Sequence, residues 1–262
     1  MIKKIKTNKS KPIELKGGVL VLGSLAWEDE DNCLIGSEGK GKRRREWRET
    51  NFKDEIIKIS LPLKYGKSSS SRLSTYTMIL SANYLKKLGT GLIFPFRDEF
   101  NLRDFNIFKE QLEKLAEVEV IKKEYRISLD SNWCAIVLWI NPDNNTDKKQ
   151  LLKAHWNIIK PTYTIKAKEL EWSKGRLLKN NFTFSTKLKI KSDLDFLICT
   201  FICPKHKDAT KNTNNILPNE EEIASEMITA GYQTYFFQNR AKGIITTEDN
   251  KILKYLTKKE SN

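Results

Sequence analysis

An α+β fold built on a mixed sheet is what the sequence predicts, on three observations. Short runs rich in Val, Ile, Leu, Thr and Phe recur at strand length, a strongly amphipathic helical segment stands between two of them, and strands and helices follow no regular alternation. A doubly wound parallel sheet would require that alternation. The chain of 262 residues, 39% of them apolar, is long enough to bury a substantial core.

Apolar and β-branched content predicts strands near Val19 to Leu22, Ile56 to Tyr65, Thr75 to Ser81, Thr90 to Phe96 and Trp133 to Ile140. In "RDFNIFKEQLEKLAEVE" the residues Phe105, Phe108, Leu112, Leu115 and Ala116 recur at three- and four-residue steps, which predicts a helix with Asp104 as its N-cap. The Pro, Asn and Asp of "INPDNNTDKK" (Ile140 to Lys149) read as a linker, followed by a helical stretch from Lys148 to Ile159 in which His155 and Trp156 are structural. A strand is expected around Phe196 to Ile202, then a mobile polar loop from Lys205 to Asn215 and a capped helix from about Glu220 to Gly231. "YQTYFF" reads as a further strand, and the chain closes on a short helix with Thr247 as candidate N-cap. These elements divide into a basic tail (1–16), a core (17–145) and a C-terminal α/β extension packed on it (146–262).

Charge and cysteine content narrow the function. The 47 Lys and Arg residues exceed the 33 Asp and Glu by enough for a formal charge of +14, which attracts phosphates or acidic partners at long range. The densest run, "KGKRRREWRE" (Lys40 to Glu49), reads as a solvated basic strand or loop, with nucleic-acid contact the less favoured reading. Cys33, Cys134, Cys199 and Cys203 follow no disulfide-framework spacing, which suits a reducing compartment. Cys199, Cys203 and His206 form C-x3-C-x2-H, but no fourth ligand is evident nearby and strand alternation accounts for the cysteines, so no metal is expected. No apolar run is long enough to span a membrane and Met1 to Pro12 lacks a signal peptide's apolar region, so a cytoplasmic location without membrane contact is expected.

The stretch with most chemical content is "GGVLVLGSLAWEDED" (Gly17 to Asp31), a strand running into a tight Gly-Ser turn. The turn's backbone N–H groups are suited to holding a carboxylate or an oxyanion. It is neither the G-x-S-x-G elbow nor a phosphate-binding loop, because the second glycine and the Gly-Lys pair are missing. "LGSLAW" (Leu22 to Trp27) followed by "KRRREW" (Lys42 to Trp47), the Arg-led strand "SRLSTYTMIL" (Ser71 to Leu80), and "LAEVEVIKKEY", with Leu115, Glu119 and Tyr125 at the matching spacings, together resemble the gamma-glutamylcyclotransferase superfamily and within it the ChaC-type enzymes. The resemblance covers about Gly18 to Ile140. One position departs from it: the turn's usual Tyr is Leu22, so that hydroxyl is absent or supplied from elsewhere.

The resemblance implies a mixed, partly closed sheet or barrel with packed helices, and an enzyme that releases 5-oxoproline from a small gamma-glutamyl amine or amide without metal or cofactor. It implies Glu119 as the single general base and acid, with Gly23, Ser24, Leu25, Arg72 and Tyr125 binding substrate. Gly23 is expected to allow close approach and a positive φ, Arg72 to pair a carboxylate, and Glu119 to be partly desolvated with its pKa raised toward neutrality. Glu117 is the rival position for the base, and "SSSS" (Ser68 to Ser71) reads as a flexible loop. The alternative is a catalytically altered member that binds a nucleotide, nucleic acid or protein through its basic surface.

Overall fold

Strand β2 (Gly17–Val21) is buried at every position, as a strand covered on both faces must be. In the computed structural model, which describes residues 13–29, 39–81, 85–98, 100–101, 104–119, 134–163, 177–179, 183–184, 190–202, 204–208 and 216–260, it is the middle strand of a mixed five-stranded sheet. β3 (Ile57–Leu61), β6 (Gly89–Pro95), β2, β9 (Phe196–Ile202) and β8 (Cys134–Ile140) lie side by side in that order. β2 runs antiparallel to β6 and parallel to β9, with Val19 opposite Phe94 and Ile198. Among the described residues this sheet is open, with β3 and β8 as its edges. The observed class is therefore α+β, with a mixed sheet and, among the described residues, six helices.

The strand expected over Ile56 to Tyr65 is two strands. Pro62, which lacks an N–H for a ladder, separates β3 from β4 (Leu63–Ser68), and β4 forms a hairpin with β5 (Tyr76–Leu80) that carries an irregularity between Tyr65 and Lys67. β1 (Glu14–Leu15) pairs with β7 (Phe100–Asn101) and buries Leu15, so the end of the expected tail belongs to the fold.

Six helices stand among the described residues. α1 (Lys40–Asn51) and α2 (Phe105–Val118) pack together, with the Asp104 side chain accepting from the Asn106 N–H at the start of α2 as expected. α3 (Thr146–Tyr163) lies on β8 and places His155 against Phe105 and Phe108. α4 (Glu220–Thr229) opens on a capping box between Asn219 and Glu222. It packs on α6 (Asp249–Glu260), and α5 (Thr234–Ala241) packs on the turn that follows β2. Among the described residues, no helix is long and apolar enough to cross a membrane.

Four local expectations are corrected. The basic run is helix α1, whose inner face carries Gly41, Arg44 and Trp47; that spacing is helical, but only one of the three is a large apolar side chain. "YQTYFF" enters α5, where Tyr235, Phe236 and Asn239 are buried at helical spacing. At the start of α6 it is Thr246, not Thr247, that bonds the first turn, its hydroxyl 2.6 Å from Asp249 Oδ1. The Asn-rich linker is a tied turn, because the Asn141 amide donates to the carbonyls of Ser192 and Leu194 and the Asn144 amide to that of Asp195. β9, from the region expected to extend the core, lies within the central sheet.

Candidate functional site

Where β2 ends, Ser24–Ala26 form a single 3-10 turn, which places a one-sided cradle at the strand's carboxyl end. The Ala26 and Trp27 N–H groups close the turn onto Gly23 and Ser24 oxygens. The N–H groups of Ser24 and Leu25 donate to no protein acceptor among the described residues. Arg48 of α1 braces the turn from outside by donating to the Leu25 carbonyl at 2.7 Å.

Gly23 is required for a different reason from the one expected. Its φ of −177° is ordinary extended backbone. An added Cβ would instead run into the phenolic oxygen of Tyr235, with Cζ of that ring 3.3 Å away. Tyr235, on α5, accepts from the Met78 N–H at 3.2 Å, and burial pushes its phenol pKa up. We expect Gly23→Ala to destabilise the protein, and Tyr235→Phe to relieve that loss by removing the obstructing oxygen. Urea unfolding of the two single variants and the double variant should give a double variant more stable than additivity by about 0.5–3 kcal/mol. Strict additivity would show that the two residues do not meet.

Arg72 arrives on a second 3-10 turn, Ser70–Arg72, between β4 and β5. The expected flexible Ser loop is thus a hydrogen-bonded turn: Ser69 and Thr75 exchange backbone bonds with their neighbours, and Leu73 and Ser74 take positive φ of 53° and 64°. Holding two such residues in the left-handed region costs roughly 1–2 kcal/mol each, and the turn so held aims Arg72 inward. Its guanidinium donates to Ser24 Oγ at 2.7 Å and lies 4.8 Å from the centroid of the Tyr235 ring.

Glu119 sits at the C-terminal end of α2. Oε2 accepts from Arg44 Nη2 at 2.8 Å and Oε1 from the Thr200 hydroxyl of β9 at 3.2 Å. The carboxylate expected to be partly desolvated thus has a guanidinium and a hydroxyl as its partners. Glu117, two residues earlier, is exposed and lines a separate depression beside Arg43 and Lys114.

Arg44 is the hub that sequence reasoning took for part of a basic surface. It is 2% exposed. Its Nε donates to the Val118 carbonyl at 3.1 Å, Nη1 to Ser24 Oγ at 2.6 Å and to Glu28, and Nη2 to Glu119. Burial works to raise the Glu28 carboxyl, but Arg44, then Lys40 and Arg72, outweigh it and hold its pKa below the usual value. Lys40, Arg44 and Arg72 thus face Glu28 and Glu119, which leaves one unit of positive charge around the site.

These elements enclose one cavity, lined by Gly23, Ser24, Leu25, Arg72 and Glu119 together with Leu22, Lys40, Arg44, Thr77, Met78, Thr200, Ile202 and Tyr235. Five of the six residues singled out from the sequence therefore come together; the sixth, Tyr125, lies outside the described residues. Thr200 and Tyr235 carried no local signal, since their roles arise from chain-distant packing, and Lys40 stood out only as the first residue of the basic run. Beside the site, Cys199 is buried, and burial followed by Glu119 pushes its thiol pKa up, so it remains protonated. No group of His, Cys, Asp and Glu among the described residues has the arrangement of a metal site. Comparisons with protein-family models, curated proteins and solved structures return no match.

Proposed function

We propose that this chain is a gamma-glutamylcyclotransferase-like enzyme that cleaves a small gamma-glutamyl amine or amide and releases 5-oxoproline. The observation that carries the reading is the convergence of the Gly23–Leu25 turn, Arg72 and Glu119 on one cavity from three separate parts of the chain. The same proposal takes the mixed sheet and adjacent β4–β5 hairpin as a form of that superfamily's partly closed fold.

The chemistry needs one group that removes a proton from the substrate's α-ammonium and returns a proton to the leaving nitrogen. A carboxylate has about four acceptor positions; Arg44 and Thr200 occupy one on each oxygen of Glu119, which leaves room for the ammonium. After proton transfer to Glu119, the α-nitrogen attacks the γ-carbonyl carbon and the new C–N bond closes the five-membered ring. The N–H groups of Ser24 and Leu25 are placed to receive the developing oxyanion. The original C–N bond then breaks as Glu119 gives its proton to the departing amine and takes the second proton from the ring nitrogen, which leaves the neutral lactam; that proton passes to the released amine, which departs as an ammonium. Arg44 and Thr200 act through Glu119, as positioning residues. The hydroxyl missing at Leu22 is supplied here by Tyr235, whose oxygen lies against Gly23.

A surface-binding role for the basic run has less support, because Arg44 at its centre is buried in the cavity network. The test is incubation of the purified chain with a panel of gamma-glutamyl amines, amides and peptides, with 5-oxoproline followed by mass spectrometry. Release from at least one compound is expected; release from none would overturn the proposal.

A further inference from the structure

Two of the three cations around the cavity are already committed to acceptors. Arg44 donates to a carbonyl, a hydroxyl and two carboxylates, and Arg72 donates to Ser24 and lies on the Tyr235 ring. Lys40 differs. It opens α1 with its side chain 14% exposed, and the carboxylate oxygen nearest its Nζ among the described residues, Glu28 Oε2, is 3.7 Å away and already bonded to Arg44. That separation exceeds a hydrogen bond. A largely desolvated ammonium has three donors to satisfy and pays for each one left without an acceptor. Lys40 lines the cavity, around which the three cations Lys40, Arg44 and Arg72 outnumber the two carboxylates of Glu28 and Glu119.

We infer that Lys40 is the residue that receives a ligand's carboxylate, and that it makes the cavity select small ligands with a free carboxylate over their neutral amides. Identifying that group as the α-carboxylate of a gamma-glutamyl substrate rests on the cyclotransferase reading; the preference for a carboxylate does not. The geometry also sets a pH dependence. The charged groups facing Lys40 are Glu28 beyond the first turn, Arg44 on its own helix, Arg72 on the second turn and Glu119 at the end of α2. Burial, and then Arg44, push the Lys40 ammonium down from 10.5 to about 8. A bound carboxylate favours the charged form, so binding takes up a proton near and above pH 8 and weakens as the pH rises through that range.

Calorimetric titration with three probes tests this: glutarate, 5-oxoproline and 5-oxoprolinamide, each at pH 7 and pH 9.5. At pH 7 at least one acid should bind the wild type, and 5-oxoproline should bind more tightly than its amide if it is that acid. Lys40→Met should weaken acid binding about 10- to 100-fold, the loss of a hydrogen-bonded charge pair, without changing amide binding. Lys40→Arg should retain acid binding and remove its weakening at pH 9.5, because a guanidinium keeps its proton. Lys40→Met should melt no lower than the wild type, because the desolvated ammonium is a cost to the free protein, so weaker acid binding in that variant reports the lost charge and not a lost fold. The inference is overturned if neither acid binds the wild type, or if Lys40→Met leaves acid binding unchanged. Lys40-dependent binding of glutarate without 5-oxoproline binding or turnover would sustain the inference and remove the cyclotransferase reading. Turnover with an unchanged KM in Lys40→Met would do the reverse.

Discussion

Glu119→Gln is expected to lower kcat for 5-oxoproline release by about 10²- to 10⁴-fold, the usual contribution of a positioned acid–base group, while substrate still binds. Glutamine preserves the length of the side chain and an oxygen facing Arg44, so the turn, Arg72 and Lys40 remain in place. What it cannot do is take the proton from the α-ammonium. Glu117→Gln is the internal control: that side chain is exposed and lines a separate depression with residues of α1, and its rate should equal the wild type. Steady-state kinetics on the best gamma-glutamyl substrate, with KM and kcat resolved, decides the matter. A Glu119→Gln enzyme with the wild-type kcat, or a loss confined to Glu117→Gln, would remove Glu119 from the chemistry.

Arg44→Met should be the most destabilising single change in the site. It leaves Glu28 and Glu119 without their shared guanidinium and the Val118 carbonyl without its donor. Breaking a buried pair from one side costs about 3–5 kcal/mol. For a chain of this size that corresponds to a fall in Tm of about 6–20 °C. Arg44→Lys should recover little, because one ammonium cannot reach the positions bonded by three separate guanidinium nitrogens. Arg43→Ala and Arg45→Ala, on the exposed face of the same helix, should each change stability by less than about 0.5 kcal/mol. Thermal melts of the four variants check this. If Arg44→Met melted with Arg43→Ala, the guanidinium would not be the hub that its contacts indicate.

The contrast between Arg44 and its neighbours also explains what was legible in the sequence. Strands such as Phe196–Ile202 were readable because burial on two faces demands uninterrupted apolar residues. α2 was readable because its buried face is built from Phe108, Leu112 and Leu115 at helical spacing. α1 was not, because its inner face consists of a glycine, an arginine and a tryptophan; the arginine is buried by ion pairs rather than by apolar contact. α5 was misread because three aromatics stand consecutively and the helix buries two while Phe237 stays exposed. Within the site, residues in short motifs could be singled out: the Gly23–Leu25 turn, Arg72 ahead of a strand and Glu119 at a helix end. Thr200 and Tyr235 could not, because only the parallel pairing of β9 with β2 and the packing of α5 on the turn bring them there, and Lys40 could not because the helix it opens reads in the sequence as a solvated basic run. The need for glycine at position 23 lies in the approach of Tyr235, which no local pattern in the sequence announces, and not in a positive φ.

The most direct measurement of the central claim is the fate of label from water. Turnover of a gamma-glutamyl substrate in ¹⁸O-enriched water should give 5-oxoproline without ¹⁸O, because the attacking atom is the substrate's own α-nitrogen, and the α-N-acetyl form of the same compound should not react. Glutamate carrying ¹⁸O, turnover of the acetylated compound, or no product from either would contradict the assignment of intramolecular cyclisation to this site.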